Sequence, residues 1–311
     1  MEIVEFEPVM AAGVARCYSE LTEGLPYWCP VLHDRFLDAG CLASPLCREE
    51  SLLVAREASG ETVGFVHTGV AAAPGEEERG DLGEPGIIRF LSYRPGQRRV
   101  GQALLEAAES WVSERGRPRV MAWSNDYLYP FYHSPFAHLS DRLGHLHPLF
   151  YWAGYRMLFS ELIFDWPDFA PPPTARPELV FDLQSEWRDD VSMGGRTLKP
   201  ALQLRALRDG VEMGMCEMTG WREGYAWPEA ADWCFCASLM VKDEVQGRGL
   251  GRLLLATGLA EMHKAGFRHA GISTDWDNYR AQLFYTNFGF RLRDRTFAFE
   301  KELTSLGVAE G

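Results

Sequence analysis

The stretch Gln246-Gly247-Arg248-Gly249-Leu250-Gly251 has residue types and spacing suited to holding a phosphate. Its three glycines let the backbone come close to a ligand, and successive N–H groups at a helix start form an anion site. A pyrophosphate is the natural guest, with Arg248 and Arg252 placed to add charge-assisted hydrogen bonds. The alternative is that the glycines serve loop geometry alone. The pattern is not G-x-x-x-x-G-K-[ST], which disfavours a nucleoside-triphosphate hydrolase. Nor is it G-x-G-x-x-G with an acidic residue about 20 positions on, which disfavours a dinucleotide fold.

The elements that must position these residues carry the stronger argument. WCFCASLMV, from Trp233, reads as a hydrophobic strand before the glycines, and the helix after them stops at Gly266. HAGIST, from His269, reads as the next strand. Upstream, ALQLRAL and VEMGMCEM flank Asp209-Gly210, a strong hairpin-turn pair. The first half repeats this order. SLLVARE (from Ser51) and TVGFVHTGV (from Thr62) read as a hairpin and IIRFLSY (from Ile87) as a third strand. A helix follows with Val100, Leu104, Ala107, Ala108 and Trp111 on one face and Gly116 as its stop, and then the strand RVMAWS.

The repeat has a fixed offset: Arg98, Gly101 and Ala103 stand 148 residues before Gln246, Gly249 and Gly251. A period that long means duplicated domains rather than a solenoid. Two antiparallel strands, then strand, loop, helix and strand, imply an α/β fold with a mixed sheet whose parallel pair surrounds a crossover helix. Asp165 to Glu178 holds five prolines and reads as a stiff linker. The expected division is an N-terminal domain over 1–165, a linker over 166–178 and a C-terminal domain over 179–311.

Gln246 to Gly251 resembles the Q/R-x-x-G-x-G/A signature of the GNAT N-acetyltransferases. Downstream, Asn278, Ala281, Leu283-Phe284-Tyr285 and Gly289-Phe290 resemble that family's second signature. The clear resemblance covers roughly residues 201 to 301. In the first half Arg98-Arg99-Val100-Gly101-Gln102-Ala103 fits the cofactor motif, and Leu149-Phe150-Tyr151 with Gly154-Tyr155 echoes the second. That half departs in two ways. Tyr151 lies three residues before its glycine where Tyr285 lies four before Gly289, and an insert of about 15 residues separates the pieces. The layout resembles tandem GNAT proteins in which one domain does the catalysis.

The resemblance implies two acyl-CoA N-acyltransferase domains, with acetyl-CoA as cofactor and catalysis in the C-terminal one. Acetyl-CoA would lie between splayed parallel strands, residues 232 to 241 and 267 to 275, against Leu239, Met240, Val241, Gln246 to Arg252 and Asn278. A strand N–H near Leu239 or Met240 would stabilise the developing oxyanion, and Tyr285 would protonate the leaving thiolate. The candidate base is Glu217, Asp232, Asp275 or Asp277, or a carboxylate working through water; the competing reading of each is a solvated loop carboxylate. In the N-terminal domain Arg98, Arg99, Val100, Gly101, Gln102 and Ala103 would keep a CoA contact.

Composition narrows the partners. The chain has 311 residues and a formal net charge of −13, which argues against nucleic acid and suits a cationic acceptor such as a primary amine. A small-molecule amine is the leading expectation; a protein or peptide amine and a non-catalytic acyl-CoA-binding module are the alternatives. No run of 18 apolar residues exists, so no membrane partner is expected. The start MEIVEFEPVM lacks the features of a signal peptide, and seven cysteines without C-x-x-C fit reduced, mostly buried thiols in a cytoplasm. His133, His138, His145 and His147 crowd the insert, but no pattern completes a zinc site and no metal is expected. Only about 22 residues precede the first C-terminal hairpin strand, too few for the two helices that roof a GNAT acceptor site. The N-terminal domain, its insert or the second subunit of a homodimer is expected to complete the roof. Trp221, Tyr225 and Trp227 form either an aromatic wall beside the acceptor or ordinary packing.

Overall fold

The computed structural model describes residues 1–37, 43–72, 84–129, 131–134, 136–171, 173, 177–189, 191–193, 196–221 and 228–303. In chain order these form β1 (Glu2–Glu5), α1 (Ala11–Thr22), β2 (Cys47–Arg56), β3 (Thr62–Ala71), β4 (Gly86–Tyr93), α2 (Arg98–Glu114), β5 (Arg119–Ala122), β6 (Leu139–Ser140), α3 (Leu146–Trp152) and β7 (Arg156–Trp166). There follow β8 (Asp182–Arg188), β9 (Val191–Met193), β10 (Arg196–Leu198), β11 (Ala201–Arg208), β12 (Val211–Gly220), β13 (Trp233–Val241), α4 (Leu250–Lys264), β14 (His269–Thr274), α5 (Tyr279–Phe288) and β15 (Arg291–Glu302). They make two compact units, one of Met1–Glu161 with Asp294–Gly311 and one of Leu162–Arg293. Each unit therefore takes one strand segment from the half of the chain that a linear division gives to the other.

In the first unit β1, β2, β3 and β4 pair antiparallel in sequence order, and β4 pairs parallel with β5. Beyond β5 the sheet continues into Phe299–Glu302 of β15. β3 and β4 are buried along their whole length, as their near-continuous apolar sequences require. α2 covers one face with Val100, Leu104, Leu105, Ala108, Trp111 and Val112 and ends at Gly116, whose φ of 69° is the left-handed close that glycine favours.

The second unit repeats the arrangement. β8, β11, β12 and β13 pair antiparallel, β13 and β14 pair parallel around α4, and β14 pairs on its far side with Leu162–Trp166 of β7. Asp209 and Gly210, with φ of 53° and 78°, make the hairpin turn that their residue types demand. Under α4 the core gathers Leu204, Cys216, Met218, Cys236, Leu254 and Ile272. Gly258 lets that helix lie close to the sheet, since a Cβ there would stand 2.9 Å from Met218.

The proline-rich segment is anchored to this unit at both ends. Phe169 is buried in its core and its N–H bonds to Arg268 O at 2.9 Å, while Glu178 N–H bonds to Arg248 O at 3.1 Å. Six of the seven cysteines are described, all as free thiols and all but Cys47 buried. Among the described residues no helix is long and apolar enough to cross a membrane.

Candidate functional site

The site begins with an irregularity in a strand. β13 runs against β12 with Glu217 opposite Ser238 but Met218 opposite Cys236, so Ala237 is an extra, bulged residue. On its other edge β13 pairs with β14 only from Trp233 to Cys236, against His269 to Ile272. Both strands continue, but not with each other. β13 stays on β12 as far as Val241, and β14 stays on β7 as far as Thr274. The carboxyl ends of the parallel pair therefore splay apart, starting at the bulge.

The glycine segment lies at the mouth of that gap. Gly247 and Gly249 have φ of 78° and 87°, a backbone conformation that a side chain would strain, and Gly249 is the N-cap of α4 without a side-chain cap. Among the described residues no side chain caps the first N–H groups of α4. Gln246 ties the loop together, its Nε2 donating to Val241 O at 2.9 Å and to Asp243 Oδ1 at 2.6 Å, while Arg280 donates to its Oε1. A cleft of about 500 Å³ opens here, lined by residues that include Leu239, Val241, Gly251, Arg252, Arg280 and Tyr285. Gly251 keeps it wide: its Cβ position is 3.6 Å from Val241 and 3.9 Å from Phe284, ordinary contacts that leave the space beyond free.

The second signature forms the opposite wall. Asn278 is the N-cap of α5, its Oδ1 accepting from Ala281 N–H at 3.1 Å, and it also lines the cleft. Tyr285 is two turns further on, 7% exposed, with its ring edge-on to Phe164 at 5.9 Å and Phe284 at 5.7 Å. A positively edged mouth, a helix start and a tyrosine at the floor thus converge on one cleft.

The other residues singled out by the sequence are spread more widely across the unit. Arg248 is exposed and does not line the cleft, the Leu250 side chain is in the core, and Met240 is 57% exposed on the opposite face of β13 from Leu239 and Val241. Asp232 precedes β13 at its amino end, roughly 23 Å along the strand from Leu239 at about 3.3 Å per residue, and is not brought to the cleft. Asp275 and Asp277 lie in the exposed turn leading to Asn278, where their carbonyls accept from Asn278 and Tyr279 N–H. Glu217 sits across from Ser238, beside the bulge, and its Oε2 accepts from Arg188 Nη2 at 2.9 Å. Trp221 is fully buried, edge-on to Trp233 and Phe235, so it packs the unit and cannot wall a ligand; Tyr225 and Trp227 lie outside the described residues. Sequence reasoning missed Arg280, whose only signal is its place two residues after Asn278, and Arg188, which has none.

The first unit carries the same frame with different filling. His67 faces Phe90 while Thr68 faces Ile88, so Arg89 is its bulged residue, as Ala237 is in the second unit. Arg98 and Arg99 are exposed at the start of α2, and Val100, Gly101, Gln102 and Ala103 lie within that helix. Gly101 is required by Tyr93, whose ring would stand 2.4 Å from a Cβ there. Tyr93 takes the place that Val241 has in the second unit, and its hydroxyl donates to His145 O at 3.0 Å. A smaller cavity of about 310 Å³ remains beside Arg98, His145 and Trp152. Tyr151 does not line it and is 52% exposed against Phe299.

On the other face of that sheet the insert is packed down. Tyr129 and Tyr132 lie against Phe90, at 5.2 and 5.6 Å between ring centroids. His67, fully buried, bonds through Nδ1 to Tyr129 Oη at 2.8 Å, and burial then the Arg89 charge hold its pKa well below the usual value. The insert histidines do separate work: His133 pairs with Asp294, His138 with Trp123 O, His145 with Tyr93 O and His147 with Ser140 O.

The family model described as the acetyltransferase (GNAT) family matches residues 158–290. Comparison with curated proteins found no match. Among solved structures, a tandem GNAT protein from the clavulanic acid biosynthesis pathway is 15% identical with a TM-score of 0.62, covering 97% of this chain and 98% of that one. A GCN5-related N-acetyltransferase from Sphaerobacter thermophilus is 17% identical with a TM-score of 0.60, covering 97% and 95%. A GCN5-related glucosamine N-acetyltransferase region of a fungal multi-domain β-N-acetylglucosaminidase gives 15% and 0.63, covering 96% of this chain and 38% of that one.

Proposed function

We propose, from the match of residues 158–290 to the acetyltransferase (GNAT) family model, that the second unit transfers the acetyl group of acetyl-CoA to a primary amine of a small molecule. The observation that carries the reading is the splay of β13 from β14 opening into the cleft that Arg252, Arg280 and the glycine loop edge and Tyr285 floors. The residues fit the donor. The uncapped N–H groups of α4 with Arg252 and Arg280 suit a pyrophosphate, and the strand edge of Ala237 to Val241 suits the amide-bearing pantetheine arm.

The thioester supplies an electrophilic carbonyl and a good leaving group. A strand N–H at Leu239 or Met240 stabilises the negative charge that collects on the carbonyl oxygen. Glu217, one strand from the gap, takes the proton that the attacking amine sheds, directly or through water. The C–N bond forms as the C–S bond breaks, its electron pair stays on sulfur, and Tyr285 delivers a proton there. A thiolate of pKa about 8.5 leaves without help, so that proton is worth about 10²–10³-fold.

The second unit is the catalytic one in this reading, because the first has Tyr93 in its gap and aromatic residues over its other face. Gly251→Trp tests both points, since a Cβ there makes only ordinary contacts and Gly251 lines the cleft that the larger side chain would occupy. Calorimetry with CoA should show the second-unit site lost, and thiol release from acetyl-CoA across an amine panel should vanish. Arg98→Glu, at the exposed start of α2, should keep most activity. Unchanged CoA affinity and activity in Gly251→Trp would remove the reading, and loss in Arg98→Glu alone would move the site to the first unit.

A further inference from the structure

β8 stands at the edge of the second unit's sheet, where the short sequence before the hairpin leaves no room for roofing helices. Its register places Arg188 opposite Ala201 of β11. The small alanine lets the guanidinium cross that strand and reach Glu217 on β12. The contact is one-sided. Only Nη2 and Oε2 pair, at 2.9 Å, and Arg188 Nε is buried without a hydrogen-bond partner among the described residues. The Arg188 side chain is 35% exposed, so its guanidinium can still meet an acceptor from solution. The same face carries Met215 and Ser238, directly beside the bulge from which the gap opens.

We propose that the amine acceptor is an aminocarboxylate, a small molecule bearing an amine and a carboxylate a few bonds apart, with Arg188 taking the carboxylate while Glu217 receives the amine. The inference rests on the acetyl-transfer reading above and names its substrate class. The chemistry is charge alternation. Ammonium beside Glu217 and carboxylate beside the exposed part of the Arg188 guanidinium close a ring of four alternating charges. A plain alkylamine would gain only half of the ring. Arg188 is an acceptor-binding residue in this scheme and takes no part in bond making.

The test compares matched acceptors in the full-length protein with acetyl-CoA as donor and thiol release as readout. Standard amino acids, β-alanine and 4-aminobutyrate are set against their carboxamides and decarboxylated amines. In the wild type at least one aminocarboxylate should exceed both of its analogues by tenfold or more in kcat/KM. Arg188→Gln should lower kcat/KM for the aminocarboxylate at least tenfold more than for the alkylamine, mainly through KM, and Arg188→Lys should restore part of that preference. Equal use of aminocarboxylate and alkylamine by the wild type overturns the proposal and leaves amine acetylation standing. A proportional loss on both acceptor types in Arg188→Gln also overturns it, because Arg188 would then only support Glu217. Thiol release with none of the amines removes this inference together with the reading beneath it.

Discussion

At the scale of residues, the cleft is built from side chains that shape its loop and side chains that line it. Gln246 uses its amide on Val241, Asp243 and Arg280 and so shapes the loop while itself lining the cleft. Tyr285 lies at the floor of the cleft, held among Phe164, Phe284 and Phe290. Removing its hydroxyl leaves that packing in place. Tyr285→Phe should therefore lower kcat about 10²-fold while the acetyl-CoA dissociation constant moves little, the pattern of an interaction felt mainly in the transition state. Single-turnover rates and calorimetry check the two halves; a variant with near wild-type kcat, where chemistry limits the rate, reduces Tyr285 to packing.

At the scale of elements, α5 joins two tasks through one residue. Asn278 caps the helix and so fixes the turn that carries Arg280 into the cleft. Asn278→Ala should cost about 0.5–2 kcal/mol of stability as the cap is lost, and weaken CoA binding as Arg280 loosens. Asn278→Asp keeps a capping oxygen and should recover most of both. Denaturant melts with CoA titrations distinguish this from direct chemistry, which would leave Asn278→Asp as impaired as the alanine variant in kcat with stability intact. The bulge at Ala237 belongs to this scale too, because one extra residue both ends the pairing with β14 and turns Ser238 and Met240 to the open face.

At the scale of the whole molecule, the two units have diverged around a shared frame. Buried histidines concentrate in the first: burial holds the pKa of His67 well below its usual value and that of His138 down to about 4, and lowers His145 and His147 as well. A histidine depressed on folding is neutral in the native state and takes up a proton on unfolding, so stability rises with pH between the two values. For His138 that window runs from an unfolded value of about 6.5 down to the folded value of about 4. The first unit should thus lose stability as pH falls below about 6.5, by up to about 1.4 kcal/mol per pH unit for each such histidine. Hydrogen exchange at pH 7 and pH 5 should show β3, β4 and the insert losing protection before β11 to β13, and His138→Gln should reduce the difference. Earlier loss in the second unit would contradict this account.

The sequence by itself determined the duplicated strand–loop–helix–strand frame, the hairpin at Asp209-Gly210 and the glycine loop between β13 and α4. These follow from periodicity, turn chemistry and helix stops, which neighbouring residues set among themselves. Asn278, Tyr285, Gly251 and Arg252 were legible for the same reason, as they lie within one or two elements of that loop. Tertiary structure alone decided that Asp232 stands at the far end of its strand and that Trp221 is core. It decided that Gly101 answers to Tyr93, that Arg280 faces the cleft, and that Arg188 crosses Ala201 to Glu217. It also decided that Leu162–Trp166 joins the second unit and Asp294–Glu302 the first. A strand's own residues specify its two faces but not which sheet edge its N–H and C=O groups will find, and that choice is made only when the sheets assemble.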